Sequence, residues 1–350
     1  MAVTPLTRTA IITRKIIRYS IYGIIAIIIL RMSINTGVKV YRYFFPVPPP
    51  PATVGFGRLK ELPFPNTDRP ENINLVLETP DGNLPTYADQ IKVYYMPKIS
   101  PSLLSLDSAK QKAQKLGFST EGVQESQTIY TFSHSKVPAK LRINTVTGVF
   151  SISYDLTSDG SPLEKRPPAG EVAESQIQSY LSSAGLLPED LTGPIVVEYL
   201  RLDEGKIVQA LSLSEADLIK VNFFRRKYDE YPSLTSTPER GNVWFVIGGS
   251  NERDKSVITG EYHYFPVDDS KFETYPTKTA QTAWEELKAG GGYITQNSTV
   301  KDEPIKIRRI YLAYYDAGVP TEFFQPIVVF EGDGDFVAYV PAIAQEYYGN

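Results

Sequence analysis

The chain of 350 residues contains no cysteine and only two histidines, His134 and His263. Without cysteine it cannot form disulfide bonds, thiolate metal sites or a cysteine nucleophile. Two histidines are also too few for a zinc site built mainly from imidazole ligands. We therefore predict that the protein holds no metal and no cofactor. The lack of cysteine by itself assigns no cellular compartment.

Acidic residues are absent from residues 1–51, which hold seven of the 36 lysines and arginines. The rest of the chain holds the other 29 basic residues and all 40 acidic ones, which gives it a net charge of −11. Binding to nucleic acid depends on clustered Lys and Arg that neutralise phosphates. The acidic body therefore argues against nucleic acid as a partner.

Charged residues are also missing between Arg18 and Arg31, where twelve uncharged residues are rich in isoleucine. A helix of that length spans about 18 Å, which is short of a hydrocarbon core of about 30 Å. We therefore extend the predicted transmembrane helix to residues 16–34, with the guanidinium groups of Arg18 and Arg31 at the two interfaces. The residues predicted to contact the membrane are Arg18, Tyr19, Tyr22, Ile24, Ile27, Leu30 and Arg31.

Two other interpretations of this segment remain, a buried core helix and a cleaved signal peptide. Basic flanks argue against a core helix, and no small-x-small cleavage pattern follows Leu30. Four basic residues precede the apolar segment and three follow it, which weakly favours a cytoplasmic N-terminus. We predict a single-pass protein of the cell membrane with a cytoplasmic tail at 1–15 and a body outside the cytoplasm from about residue 46.

Prolines are concentrated immediately after this segment, at Pro46, Pro48, Pro49, Pro50 and Pro51. Proline disfavours helix in the residue before it, so the membrane helix is predicted to end by Phe45. Polyproline II rises about 3.1 Å per residue, so the six residues 46–51 would form a spacer of roughly 19 Å. We assign residues 35–66 to a juxtamembrane segment and proline-rich stalk. A ligand for a proline-binding domain is the alternative.

The remaining chain alternates a few helices with short strands, which is typical of an α+β fold with antiparallel sheets. The segment Gly160–Gly170 is rich in proline and glycine and predicts a boundary. The predicted organisation is a first α+β domain at 67–160, a linker at 161–170 and a second α+β domain at 171–350. Helices are predicted to start near Asp107, Glu171 and Lys278. Hairpins are predicted for 72–79 with 90–96, 140–144 with 148–155, 242–249 with 256–267, and 325–331 with 335–342.

Two parts of the chain resemble known families. The run Asp107–Ser153 contains an alanine-bearing helix, then strands joined through Thr147-Gly148, and it is similar to the PepSY class of small extracytoplasmic modules. The C-terminal part from Trp284 through Ile343 resembles the tail of single-pass accessory regulators of a Gram-positive cell-wall-sensing histidine kinase. The resemblance implies a protein that acts by binding, as a regulator or peptidase inhibitor, and it supplies no catalytic residues.

Three short motifs are candidate sites. His263 in a predicted strand and His134 at a strand end could act as general bases, but single histidines in such places are more often structural. The stretch Glu331–Phe336 places three carboxylates in six residues, which suits Ca²⁺, yet Asp-Gly between apolar strands is itself a hairpin signal. We favour a turn over a metal site.

Tyrosine is abundant, with 23 in the chain, and many tyrosines fall in predicted strands. Exposed on one sheet face, they could bind a peptide or a glycan by stacking and hydroxyl contacts. Aromatic residues also prefer strands for packing reasons alone. The predicted binding face consists of Tyr262, Tyr264, Tyr311 and Tyr314.

The composition and motifs together predict a non-enzymatic, membrane-tethered module outside the cytoplasm that binds a protein or cell-envelope partner. One alternative is a cell-surface hydrolase, which would need two carboxylates about 5 to 9.5 Å apart. Another is a structural subunit of an envelope assembly, which would expose a large apolar face. The sequence does not specify the oligomeric state.

Overall fold

The computed structural model describes residues 5–44, 50–66, 73–298 and 304–349. In the first helix, side chains are described from Arg18 to Tyr41. The chain forms two compact units, Met1–Pro51 and Ala52–Asn350.

The first unit contains the helix α1 (Pro5–Phe44), which runs without interruption through the predicted span at 16–34. Its segment Arg18–Tyr41 is 24 residues long and apolar enough to cross a membrane, and none of it is buried in the protein. By length and composition, a signal sequence would meet the same criteria. The helix ends just before Phe45, the limit that the prolines predict.

The predicted stalk at 35–66 is shorter in the structure than in the sequence analysis. Residues 35–44 belong to α1. Pro46, Pro48 and Pro49 lie outside the described residues, and Pro50 and Pro51 belong to neither a helix nor a strand. The segment Val54–Phe64, which we call the strap, packs against the C-terminal part of the second unit, to which it belongs.

The second unit mixes short helices with many strands, which confirms the α+β class. Its described α-helices are α2 (Ser105–Lys115), α3 (Gly170–Ser183), α4 (Arg253–Ser256) and α5 (Ala280–Lys288). The first strands are β1 (Leu75–Leu77), β2 (Gln90–Tyr95), β3 (Phe118–Gln124), β4 (Ile129–His134), β5 (Ala139–Asn144), β6 (Phe150–Tyr154), β7 (Ile195–Asp203), β8 (Lys206–Gln209) and β9 (Leu218–Phe223). They are followed by β10 (Ser233–Thr235), β11 (Val243–Ile247), β12 (Val257–Tyr262), β13 (Asp268–Pro276), β14 (Tyr293–Gln296), β15 (Ile305–Asp316), β16 (Phe323–Phe324), β17 (Pro326–Gly332) and β18 (Phe336–Pro341).

The largest sheet has nine strands in the order β3-β4-β5-β6-β12-β11-β9-β7-β8. Alternation sets its faces: in β5, Leu141 and Ile143 are buried in the core formed with α2 and α3, whereas Lys140 and Arg142 are exposed. Strands β6 and β12 pair antiparallel at the centre, with Thr259 opposite Ser153. Strands from both sides of 161–170 therefore share one sheet, and the predicted boundary does not separate two compact units.

This sheet is built from two similar halves. In one half α2 is followed by β3 to β6, and in the other α3 is followed by the strands β7, β8, β9, β11 and β12 of this sheet. Each half runs from an outer edge to the central β6–β12 pair. A third helix, α5, is followed by β14, β15, β17 and β18, so the predicted succession of a helix and antiparallel strands occurs three times.

The third succession builds a six-stranded sheet in the order β1-β15-β17-β18-β14, with β10 also pairing to β15. A separate three-stranded sheet has the order β13-β2-β16. The predicted hairpin of 72–79 with 90–96 is therefore wrong, because β1 pairs parallel to β15 while β2 joins another sheet. The other three predicted hairpins are confirmed as β5–β6, β11–β12 and β17–β18.

The strap ties the start of the second unit to its C-terminal part. Val54 donates its N–H to the carbonyl of Thr274 at 3.0 Å. Leu59 is fully buried and donates to the carbonyl of Tyr347 at 2.8 Å. Phe64 stacks on Tyr293 with ring centroids 5.3 Å apart. Residues that the sequence assigned to a free stalk therefore contribute to the core.

The central strand pair can be tested at Gly260, which lies opposite Ile152 of β6 and Phe245 of β11. A Cβ atom at this position would overlap the buried Phe245 ring. We expect Gly260→Ala to lower the free energy of unfolding by about 1–3 kcal/mol, the usual cost of overpacking. Thr259→Ser, on the opposite face of the same strand, should change it by less than about 0.5 kcal/mol. Urea denaturation of both variants measures the difference, and equal values would contradict this packing.

Candidate functional site

A cleft opens where the pairing of β2 with β16 ends. Tyr95 lies opposite Phe323, and the N–H of Met96 still donates to the carbonyl of Glu322 at 2.9 Å. The next residues towards the cleft include Pro97 and Pro320, and proline has no N–H with which to continue a ladder. The two chain segments diverge there and enclose a volume of about 300 Å³, together with the strap.

Apolar side chains line most of the cleft. Met96 and Phe265 are buried, and Phe323 is half-buried and stacks on Phe56 of the strap with ring centroids 4.8 Å apart. Pro63 and Ile99 complete the apolar lining. A pocket of this size and composition suits a small apolar group, because binding pockets are mostly apolar with a few placed polar groups.

Polar side chains form the rest of the cleft lining, and Gln325 is the buried one among them. Gln325 has only 3% of its surface exposed. Its Nε2 donates to the carbonyl of Lys60 at 3.0 Å, and its Oε1 has no hydrogen-bond partner among the described residues. At the rim, Lys60 and Glu322 form an ion pair at 3.0 Å. A buried carboxamide with an unused acceptor is costly unless something pairs with it.

Beneath the cleft lies Arg225, whose side chain is completely buried. Its Nε donates to Asp316 at 2.8 Å, its Nη1 donates to Asp190, and its Nη2 donates to the carbonyl of Phe265 at 2.5 Å. Burial by itself would lower the pKa of Arg225, but the Asp316 and Asp190 carboxylates outweigh burial and raise it. The guanidinium therefore stays charged and holds Phe265 in place as part of the cleft lining.

Two tyrosines complete this buried network by binding Asp190. Tyr264 donates to one carboxylate oxygen at 2.7 Å, and Tyr228 donates to the other at 2.9 Å. Burial is the main cause that raises the pKa of both phenols, so both remain hydrogen-bond donors. Asp190 and Asp316 both form ion pairs with Arg225. The two carboxylates therefore act as structural partners of a buried charge.

The network joins segments that are far apart in sequence. Asp190 follows α3, Arg225 follows β9, and Phe265 follows β12, so these three come from the nine-stranded sheet and its helix. Asp316 is the last residue of β15 in the six-stranded sheet. Arg225 therefore connects the two sheets and supports the cleft at the same time.

The four tyrosines of the predicted binding face do not share one exposed surface. Tyr262 is buried and stacks on Phe150 with ring centroids 4.9 Å apart. Tyr264 points its hydroxyl at Asp190, as described. Tyr311 and Tyr314 are three residues apart in β15 and so face opposite sides of the sheet. Tyr314 is fully buried, so the preference of aromatic residues for packing explains this correction.

The two histidines are placed apart from the cleft. The His134 side chain is buried, its Nδ1 accepts from the N–H of Lys136 at 3.2 Å, and its ring meets the edge of Phe118. His263 is half-buried, with its Nδ1 3.3 Å from the carbonyl of Gly318. Neither ring is among the residues that line the cleft.

The acidic stretch Glu331–Phe336 forms the hairpin turn between β17 and β18 that the sequence favours. Arg308 binds the Asp333 carboxylate through Nε at 2.7 Å and Nη2 at 2.8 Å. Within the parts of the chain that the structure describes, no group of three or more His, Cys, Asp and Glu side chains is arranged to hold a metal ion.

Sequence reasoning missed the residues that make the cleft, Met96, Phe265 and Gln325. The available signal was Pro97 directly after the predicted strand at 90–96, since a proline there stops strand pairing. The contacts among positions 60, 96, 265 and 325 are long-range, so nothing local in the sequence indicates that they meet.

Comparisons with known proteins add little to this description. No protein family matches the chain, and no curated protein matches it. Among solved structures, the chain is similar to an uncharacterized protein from Eubacterium rectale ATCC 33656. The similarity has a TM-score of 0.37 and 11% sequence identity, and it covers 75% of this chain and 86% of that chain. A likeness this remote carries no argument, so the conclusions below rest on the chain's own residues.

Replacing Arg225 tests whether this side chain joins the two sheets. Arg225→Met leaves Asp316 buried without its cationic partner and leaves Asp190 with only the Tyr228 and Tyr264 hydroxyls, and we expect it to lower the free energy of unfolding by about 3–5 kcal/mol. Its neighbour Arg226 forms a solvent-exposed ion pair with Asp269, so Arg226→Met should cost at most about 1 kcal/mol. Chemical denaturation of the full-length protein in detergent compares the two. Similar losses would show that Arg225 has no special role.

Burial of His134 predicts a dependence of stability on pH. Burial is the main cause that lowers the pKa of His134 below its ordinary value of 6.5; Asp254 opposes this and Lys136 adds to it. The unfolded chain therefore takes up a proton at higher pH than the folded protein does, so the free energy of unfolding falls as pH decreases below about 6.5. His134→Asn, which keeps an acceptor near the N–H of Lys136, should flatten this part of the pH curve. Denaturation at several pH values measures it, with His263→Asn reporting the contribution of the other histidine.

Proposed function

We propose that this protein is a membrane-tethered, non-catalytic binding or regulatory module that engages a protein or cell-envelope partner through the cleft. The observation that carries the proposal is the cleft itself. It combines an apolar lining with a buried carboxamide, Gln325, whose Oε1 has no hydrogen-bond partner in the described parts of the chain. Its contents are those of a recognition site, with apolar surface for affinity and a few polar groups for orientation.

Helix α1 supports the tether. All described side chains from Arg18 to Tyr41 are exposed, and most are apolar. Exposed apolar surface on this scale is stabilised by burial in a bilayer, where the helix satisfies its own backbone hydrogen bonds. We place the second unit outside the cytoplasm, with the N-terminus inside, because basic residues are slightly more numerous before the apolar segment than after it.

The recurring order of a helix followed by antiparallel strands supports a PepSY-like character for the second unit. The α2–β6 half carries the Thr147-Gly148 turn between β5 and β6 on which the resemblance rests. Proteins of the resembling classes act by binding, as regulators or inhibitors. The cell-wall-sensing regulators supply a precedent for a short N-terminal anchor that carries such a module.

Membrane fractionation tests the tether. The full-length protein should remain in the membrane fraction after a high-salt or carbonate wash and should leave it only with detergent. Placing Arg at both Ile27 and Ile28 costs roughly 2.5–3.5 kcal/mol per residue at the centre of a membrane helix, and should move much of the protein to the soluble fraction. Leu at the same two positions is the matched control. A wild-type chain that stays soluble without detergent, or a body that protease cannot reach outside intact cells, would refute the proposal.

Photo-crosslinking tests the partner. A photoreactive amino acid in place of Thr321, which lines the cleft, should form an adduct with a component of the cell envelope in living cells. The same amino acid in place of Lys140, which is exposed on the open face of the nine-stranded sheet, serves as the control. Adducts at both positions or at neither would count against the cleft as the site of recognition.

A further inference from the structure

Backbone groups beside the cleft are free to pair with another chain. Lys98 and Ile99 line the cleft, and their N–H and carbonyl groups form no hydrogen bond with any other described residue. They follow β2 by three and four residues in sequence, and the partner of β2 on that side, β16, is only two residues long. An unpaired edge of this kind is a template for a further strand.

Prolines prevent this edge from pairing with another strand of the same chain. Pro97 follows Met96 on one side and Pro320 precedes Thr321 on the other. Proline is placed at strand ends and edges because it has no N–H for the ladder. The two segments that would otherwise continue the β2–β16 pair are thereby held apart, and the gap between them is the cleft.

A side chain of the cleft already binds the main chain of the strap. The carboxamide of Gln325 donates through Nε2 to the backbone carbonyl of Lys60, which is half of the bonding that a side-chain amide can offer to a peptide. Its Oε1 still lacks a donor within the described residues.

The charge at the rim is balanced. Two lysines, Lys60 and Lys98, and two glutamates, Glu61 and Glu322, line the cleft, so its formal net charge is zero. A polyanion such as a phosphate-rich polymer needs clustered positive charge, which this rim does not supply. A neutral rim around an apolar lining instead favours an uncharged stretch of chain.

We propose that the cleft binds an extended segment of another polypeptide by strand addition. The segment pairs with the backbone of Lys98 and Ile99 and places one apolar side chain against Met96 and Phe265. Backbone pairing supplies affinity in this mode, and the side-chain pocket supplies specificity. The inference rests on the proposed binding function and names the partner as a polypeptide.

Peptide selection tests the inference directly. A phage-displayed library of short random peptides is selected on the full-length protein in phosphatidylcholine nanodiscs, and the enriched peptides are synthesised with a fluorescent label. We expect enriched peptides to carry an aliphatic or aromatic residue flanked by residues that suit an extended chain. N-methylation of alternate backbone nitrogens should weaken binding by roughly three- to tenfold for each hydrogen bond lost.

Two matched pairs of variants locate the binding. Thr321→Trp fills the cleft and should lower peptide affinity by at least about tenfold, whereas Thr321→Ser should leave it within about twofold. Lys98→Pro removes a backbone N–H and should lower affinity by roughly three- to tenfold, whereas Lys98→Ala keeps the N–H and removes only the charge. Circular dichroism confirms that each variant folds. If Thr321→Trp does not fold, the two Lys98 variants still test the proposal.

Distinct outcomes separate this inference from the broader function. Selection that enriches no cleft-dependent peptide, or equal effects of Pro and Ala at position 98, would overturn strand addition. A crosslink from Thr321 to a glycan or lipid would also overturn it, while leaving the tethered binding function in place. A second copy of this chain as the crosslinked polypeptide would support strand addition and identify the segment as the protein's own.

Discussion

The buried charge of Arg225 is the constraint on which the arrangement of the second unit depends. A guanidinium without solvent must find carboxylates and carbonyls, and here Asp190, Asp316 and the carbonyl of Phe265 provide them. Such a network adds little net stability compared with apolar side chains of similar volume, because desolvation offsets much of the attraction. Its strong effect is on alternative packings, because any packing that separates the two sheets would remove the ion pair between Arg225 and Asp316. Arg225 thus fixes which strand ends meet, and one of those ends carries Phe265 into the cleft.

The cleft in turn follows from a local conflict between prolines and strand pairing. β2 and β16 begin an antiparallel ladder, and Pro97 and Pro320 end it within a few residues. The strap fills part of the space that opens, through Phe56 and Pro63, but leaves about 300 Å³ unfilled. What supports the proposed role in binding is the position of this cleft at a strand end, beside the Lys98 and Ile99 backbone groups that have no partner among the described residues.

Much of this fold could be predicted from local pattern, and the remainder depends on contacts that no local pattern encodes. Alternation identified β6, the glycines at 332–334 identified the β17–β18 hairpin, and the prolines after Phe44 marked the end of α1. The β6–β12 pair was missed because proline and glycine in 160–170 mark any surface loop, whether or not a domain boundary lies there.

Arg225 and Arg226 are adjacent and identical in type, yet one is fully buried and the other is exposed. Only the positions of Asp190 and Asp316, which are distant in sequence, decide which of the two arginines is buried. The tyrosines were misplaced for a related reason, because the same strand preference serves a core and a binding face equally well.

Strap and cleft are linked energetically by their shared residues. Lys60 binds Glu322 and accepts from Gln325, and Pro63 lines the cleft, so a ligand in the cleft touches the strap and the body of the second unit at once. A ligand that binds only while the strap is docked stabilises the docked strap by mass action. The strap is also the part of the second unit that follows α1 most closely in sequence. In the proposed function, occupancy of the cleft would therefore stabilise the segment that links α1 in sequence to the rest of the second unit.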